Sequence, residues 1–127
     1  MQLSIMGNAA INQTRVVLKV RELCLAAHRS AMSVAGGKLG ETAPDSDTHH
    51  YTRTLIDSIQ LADTLDNEFF RSAALHPIIE LCMKGSDVDD ARALFKHVKM
   101  TFIRKKMIDA FPELSPDALT APLREVS

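Results

Sequence analysis

Between Asn12 and about Ala35 the apolar residues return every three or four positions. Val16, Val20, Leu23, Cys24, Ala27 and Ala31 fall on one line, with Leu18, Leu25 and Met32 on a second. That is the period of an α-helix, and it predicts a long helix with a wide apolar face. The same period returns from about His50 to Leu65, where Leu55, Ile56, Ile59, Ala62 and Leu65 form a stripe and Asp57, Gln60 and Asp63 look outward. It returns again after Ser86, with Ala91, Leu94, Phe95, Val98 and Phe102 leading to Phe111. No stretch alternates in the manner of a strand and no internal repeat is visible, so the chain is expected to be all-α.

The punctuation divides these segments. Gly36-Gly37 ends the first helix, and the Gly, Pro, Asp and Ser content up to Thr48 reads as a surface loop. Glu68 to Leu75 reads as a short helix led by Phe69 and Phe70. Pro77 suits the first turn of the next helix, where its missing N–H has no intrahelical partner to lose. Ile78, Ile79, Leu81 and Cys82 supply that helix's core side, and Gly85 closes it in a left-handed conformation. Ser86-Asp87-Val88-Asp89 resembles a capping box that opens the last long helix, which Pro112 stops. Leu114 to Leu119 looks like one capped terminal turn. The expected architecture is a compact bundle of about five helices, with residues 1–11 an extension, 12–119 a single bundle domain and 120–127 a tail or linker. A chain of 127 residues fits one such core, and the Pro-containing tail suits a piece of a longer protein.

Charge excludes some partners. Fifteen Lys and Arg against sixteen Asp and Glu give a net charge of -1, so no global field draws the chain to nucleic acid or anionic lipid. The first residues lack a basic segment followed by a long apolar run, and no unbroken apolar stretch is long enough to span a bilayer, so a soluble intracellular setting is expected. Cys24 and Cys82 sit within apolar helical patterns with no Cys or His at metal-ligand spacing, which predicts buried reduced thiols.

Chemistry-bearing motifs are missing: there is no Walker loop, no GxGxxG after a strand, no HExxH and no nucleophile elbow. No catalytic residue, metal site or cofactor is therefore expected. His49-His50 reads as a solvated cap, His76 as part of a cap or turn, and His28 and His97 as lone helical imidazoles. Asp57 and Asp63 are six apart and share no tight face, while Asp87, Asp89 and Asp90 suit a helix's first turn. One constellation invites a functional reading. Arg92, Lys96, Lys99 and Lys106 project to one sector of the last helix, together with Met100, Ile103 and Met107. A cationic rim around flexible apolar side chains suits an acidic peptide with Phe or Leu anchors. The competing reading has the apolar residues packing under the terminal turn while the lysines are solvated. The run Arg104-Lys105-Lys106 leaves weak phosphate contact open, but with no Trp and a single Tyr there is little to stack a base.

The segment FFRSAALHPIIELCMKGSDVDDARALFKHVKMTFIRKK resembles the core of the N-terminal domain of the transcription elongation factor TFIIS. The features in order are Phe69-Phe70-Arg71, the turn at Leu75-His76-Pro77, Ile78-Ile79, Lys84, Ser86-Asp87, then Leu94, Lys96 and Val98. Ahead of it LIDSIQLADTL is similar to that family's second helix, and the long first helix suits the related integrase-binding-domain bundles. The chain departs from the pattern at Ala73-Ala74-Leu75-His76, where the family has Thr-x-Ile-Gly, and at Phe102, where it has Trp. The resemblance implies a non-enzymatic nuclear scaffold that binds short disordered motifs of transcription or chromatin proteins. It points to Lys84, Ser86 and Val88 at the loop and to Arg92 and Lys96 on the helix that follows. With the independently read Lys99, Met100 and Ile103 these form the candidate partner-binding set. The alternatives are a homo-oligomerising bundle or weak nucleic-acid binding by the basic last helix; the sequence leaves the oligomeric state open.

Overall fold

The computed structural model describes the backbone of residues 2–38 and 44–115 and the side chains of 11–36 and 44–115. The chain is an all-α bundle of six helices with no strand among the described residues. They are α1 (Gln2–Ala26), α2 (His28–Lys38), α3 (Asp45–Asp63), α4 (Glu68–Lys84), α5 (Val88–Phe95) and α6 (Thr101–Ala110), followed by a 3-10 turn at Pro112–Leu114.

The central element is α4. Ser72, Ala74, Leu75, Ile78, Ile79, Leu81 and Cys82 are all buried along it, spread over about half of the helix's circumference. So wide a buried face needs several neighbours, and α1, α3, α5 and α6 supply them. Val20, Cys24 and Ala27 meet it from α1, Ala62 from α3, Ala91 and Phe95 from α5, and Met107 from α6; all lie in one buried cluster.

The helix boundaries differ from the sequence reading at several points, each for a local reason. The first helix is interrupted once, at Ala27, whose N–H is shared between the Leu23 and Cys24 carbonyls (3.1 and 3.2 Å). The chain then resumes as α2 and runs through Gly36-Gly37 to Lys38, since a glycine costs a helix only about 1 kcal/mol. At its other end α1 reaches back to Gln2, through the segment set aside as an extension. The loop is shorter than expected, because α3 begins at Asp45 directly after Pro44, with Asp45 and Asp47 in its first turn where the dipole favours them. Ser30 clips α2 to α3: its hydroxyl donates to Asp47 Oδ1 at 3.3 Å and lies 3.0 Å from His50 Nδ1. His50 is therefore a tie between helices rather than a solvated cap.

The two helices expected around Pro77 are one. Pro77 sits inside α4, where it cannot donate to the Ala73 carbonyl, and the buried residues on both sides hold the helix continuous. His76 accordingly lies in mid-helix, 3.3 Å from Glu80 one turn on, and forms no cap. Asn67 caps the start of α4, its Oδ1 accepting from Phe69 N (2.8 Å) and Phe70 N (3.2 Å).

At the far end of α4 the left-handed residue is Ser86 (φ 59°), not Gly85, whose φ of -84° any residue adopts. The Asp87 N–H reaches back to the Cys82 carbonyl at 2.8 Å and Ser86 N to Met83 O at 3.1 Å, the hydrogen bonds of a Schellman stop. Gly85 is needed for space instead: a methyl there would meet Tyr51 Oη at 2.7 Å. The expected capping box is absent. Asp87, not Ser86, occupies the cap position, and its Oδ2 accepts the Tyr51 hydroxyl at 3.1 Å.

The last long helix is broken between Phe95 and Thr101. Arg104 explains how the break is tolerated. Its Nη1 donates to the carbonyls of Phe95 and Val98, each at 2.9 Å, and its guanidinium lies 4.1 Å over the Phe95 ring. Ser72 pins the same turn to α4 by accepting the Lys99 N–H at 3.2 Å. Arg104 is thus a cap for α5. Arg104→Met should cost about 2 kcal/mol in a urea titration, the loss of two bonds from a charged donor. Arg104→Lys should recover less than half of it, because an ammonium has neither the planar fork nor the stacking face. A Met variant as stable as the parent would contradict this role. Of the terminal turn expected at Leu114 to Leu119, residues 116–119 lie outside the described residues; ahead of it the 3-10 turn buries Leu114.

Candidate functional site

The residues expected to share one sector of the last helix do not do so, because the break at 96–100 cancels a projection that assumed one continuous helix. Ile103 (8% exposed) and Met107 (0%) face the core. Arg92 is half-buried and its Nε donates to the Glu113 carbonyl at 3.0 Å, holding down the 3-10 turn. Val88 and Met100 are half-buried, and Ser86, Lys96 and Lys99 are exposed. Lys99 Nζ approaches the Lys96 carbonyl at 3.4 Å. Lys84 and Lys106 are brought together, on a different surface.

That surface is a groove of about 640 Å³ between α1 and α4, closed at one side by Lys106 of α6. Val17, Leu18 and Leu25 form one wall, Ala73, Pro77 and Leu81 the other, and Cys24 lies at the floor. Arg21, Lys84 and Lys106 stand around it with His28, His76 and Glu80. Glu80 is engaged by His76, so the rim is cationic on balance. Leu18 and Leu25 are unusually open for apolar residues beside a core, at 53% and 66% exposure.

The local sequence explains the geometry. Position 20 points into the core, and position 18 lies about 200° around the helix from it, so Leu18 and Leu25 stand at the groove's outer edge and stay largely exposed. On the α4 side the lining residues are Ala73 and Pro77, too short to fill the space between the helices. The sequence signal for this wall was present in the second line of Leu18, Leu25 and Met32. It reads as part of a wide buried face until the core is known to occupy only the first line. Arg21, Ala73 and Pro77 carry no sequence signal of their own, since they become neighbours only when α1 packs on α4.

A second, smaller cleft of about 330 Å³ lies between α3 and α5, lined by Leu55, Ile56, Ile59 and Leu94 with Asp90 beside them. Elsewhere Phe69 and Phe102 stack on the surface with ring centroids 6.3 Å apart.

The groove's polar rim surrounds a single sulfur. That sulfur, Cys24, is a poor nucleophile: burial pushes the thiol up to about 11, outweighing the Ser58 hydroxyl 3.7 Å away that favours the thiolate. Cys82 is pushed up to about 12, first by burial and then by the charges of Asp87 and Asp90. Both cysteines are free and buried, as expected from their setting. No group of three His, Cys, Asp or Glu side chains among the described residues is placed to hold a metal ion. No described helix is long and apolar enough to cross a membrane. Compared with protein-family models, curated proteins and solved structures, the chain finds no match.

Proposed function

We propose that this chain is a non-enzymatic protein-interaction module whose α1/α4 groove receives acidic, Leu- or Phe-bearing segments of partner proteins. The observation that carries the reading is the pairing, in one groove, of open apolar walls at Leu18 and Leu25 with the cations Arg21, Lys84 and Lys106. Apolar burial supplies adhesion, and the charges select the sign of the partner and speed its approach. The order of features from Phe69 to Val98, similar to the TFIIS N-terminal domain, supports a setting in transcription elongation or chromatin complexes of the nucleus. Relative to the sequence reading the surface moves: Lys84 stays, while Arg92, Ile103 and Met107 are committed to the fold.

The test is an amide-shift titration of the labelled protein with acidic, Phe/Leu-bearing disordered segments from elongation and chromatin proteins. Shifts are expected in two clusters, residues 17–28 and 73–84, with Lys106 as a third point. Lys84→Glu should weaken binding about tenfold without loss of helicity, since reversing one interfacial charge changes affinity by roughly 1–2 kcal/mol. Shifts confined to residues 88–100 would restore the surface read from the sequence, and silence across the panel would remove the proposal.

A further inference from the structure

The outward line of α1 extends beyond the groove. Ile11, Leu18, Leu25 and Met32 follow one another at a strict interval of seven residues, and all four are exposed, at 51, 53, 66 and 56%. They face away from Val20, Cys24, Ala27 and Ala31, which are buried. Within α1 such a line drifts by about 20° per heptad, so Ile11, Leu18 and Leu25 stay on one side of the helix, and Met32 follows on α2 beyond the break at Ala27. At 1.5 Å per residue the part on α1 is about 20 Å long. The groove accounts for Leu18 and Leu25 only; Ile11 and Met32 lie outside its lining.

The charges beside the line are mostly basic. Arg15, Lys19, Arg21 and Arg29 are exposed along it, against the single acid Glu22. Two copies of α1 laid side by side would bring Arg15, Lys19 and Arg21 near their equivalents with only Glu22 to offset them, which disfavours a self-paired coil. An acidic helix meets the same face with attraction.

We infer that α1 and the start of α2 are the docking strip for a long acidic amphipathic helix of a partner protein. That helix packs its apolar residues on Ile11, Leu18, Leu25 and Met32 and sets its carboxylates against Arg15, Lys19, Arg21 and Arg29. This rests on the protein-interaction reading above and adds to it the form of the partner: a helix several turns long, in heptad register, and not a short motif confined to the groove. The seven-residue interval requires the partner to wind slightly left-handed about α1 to stay in contact.

The probe is a synthetic peptide of about 25 residues with Leu at every seventh position and Glu beside it, long enough to cover the strip. Added to the full chain, it should gain helicity by circular dichroism and shift the methyl resonances of all four strip residues. Its affinity should fall about tenfold from low to high salt as the charges are screened. The same peptide with Lys in place of Glu should not bind. Ile11→Ser with Met32→Ser, both exposed and outside the groove, should weaken binding about tenfold, since each removes one apolar contact layer. If this pair binds like the parent while Leu25→Ser does not, the partner stays within the groove and the helical strip is wrong, though the interaction reading stands. If short acidic segments bind and the heptad peptide does not, the strip is likewise overturned. If neither kind of acidic peptide binds, the reading beneath it fails. A concentration-dependent mass that Leu18→Glu reduces to the monomer would overturn the inference in favour of a second copy of this chain.

Discussion

Replacing Gly85 with alanine should destabilise the protein by about 2–3 kcal/mol, although the backbone there is one that alanine adopts freely. With φ at -84° and ψ at 5°, conformation argues for a gain: alanine at a compatible glycine site usually stabilises by about 0.4–1 kcal/mol through the unfolded chain. Space decides the sign. The new methyl would lie 2.7, 2.8 and 2.9 Å from Oη, Cζ and Cε1 of Tyr51. The ring cannot swing aside, being 4% exposed and held by its hydrogen bond to Asp87. Either the C-terminal turn of α4 shifts or the Tyr51–Asp87 bond is lost. The melting temperature should fall by about 10 °C, at a few degrees per kcal/mol for a domain of this size. A double-mutant cycle isolates the cause. In a Tyr51→Leu background, which lacks the three offending atoms, Gly85→Ala should be neutral or stabilising, giving a coupling of about 2–3 kcal/mol. An alanine variant as stable as the parent would show that Tyr51 yields at no cost.

Alkali should unfold the protein well before it threatens an ordinary helical bundle. Cys24 and Cys82 have an ordinary value of 9.0 and are raised in the folded chain to about 11 and about 12, chiefly because burial penalises the thiolate. Tyr51 is raised too, by burial first and then by the neighbouring Cys82 and Asp87. For a raised acid the folded state keeps a proton that the unfolded chain has already released. Stability is therefore fully present below about pH 9 and is lost as pH climbs toward the folded values. Each group contributes a slope on the order of 1 kcal/mol per pH unit in that window. Over two units the thiols together remove several kcal/mol, comparable to the whole stability of a small domain. Urea midpoints should be flat from about pH 6 to 8 and fall steeply above pH 9, with Cys24→Ala and Cys82→Ala each flattening the fall. A midpoint unchanged up to pH 11 would mean that both thiolates find solvation in the fold.

Much of the architecture is legible in the sequence because helical periodicity is a local signal. The lines of Val20–Cys24–Ala27–Ala31 and of Ala91–Phe95 mark core faces that the structure buries. The α5–α6 boundary was hidden for the opposite reason. Residues 88–111 are compatible with one continuous helix, and the break depends on Arg104 reaching two carbonyls and on Ser72 of α4 holding the Lys99 N–H. Pro77 misleads in the other direction: its local preference is to start a helix, but burial of Leu75 and Ile78 on either side outweighs one missing hydrogen bond.

The candidate site divides along the same line. Lys106 could be named from its helix's own pattern, and so could the helical line of Leu18, Leu25 and Met32, while Lys84 was pointed to only by the resemblance. That the line faces outward, that Lys84 and Lys106 stand beside Leu18 and Leu25, that Ile103 and Met107 face the core and that Arg92 and Arg104 bond carbonyls within the fold were settled by packing. Period and charge are properties of neighbouring residues along the chain, so the sequence by itself determined that the chain is helical and where most of its apolar faces lie. Which of two apolar lines is covered, and which cation is used within the fold, depends on residues far apart in the chain, and only the tertiary structure decided it.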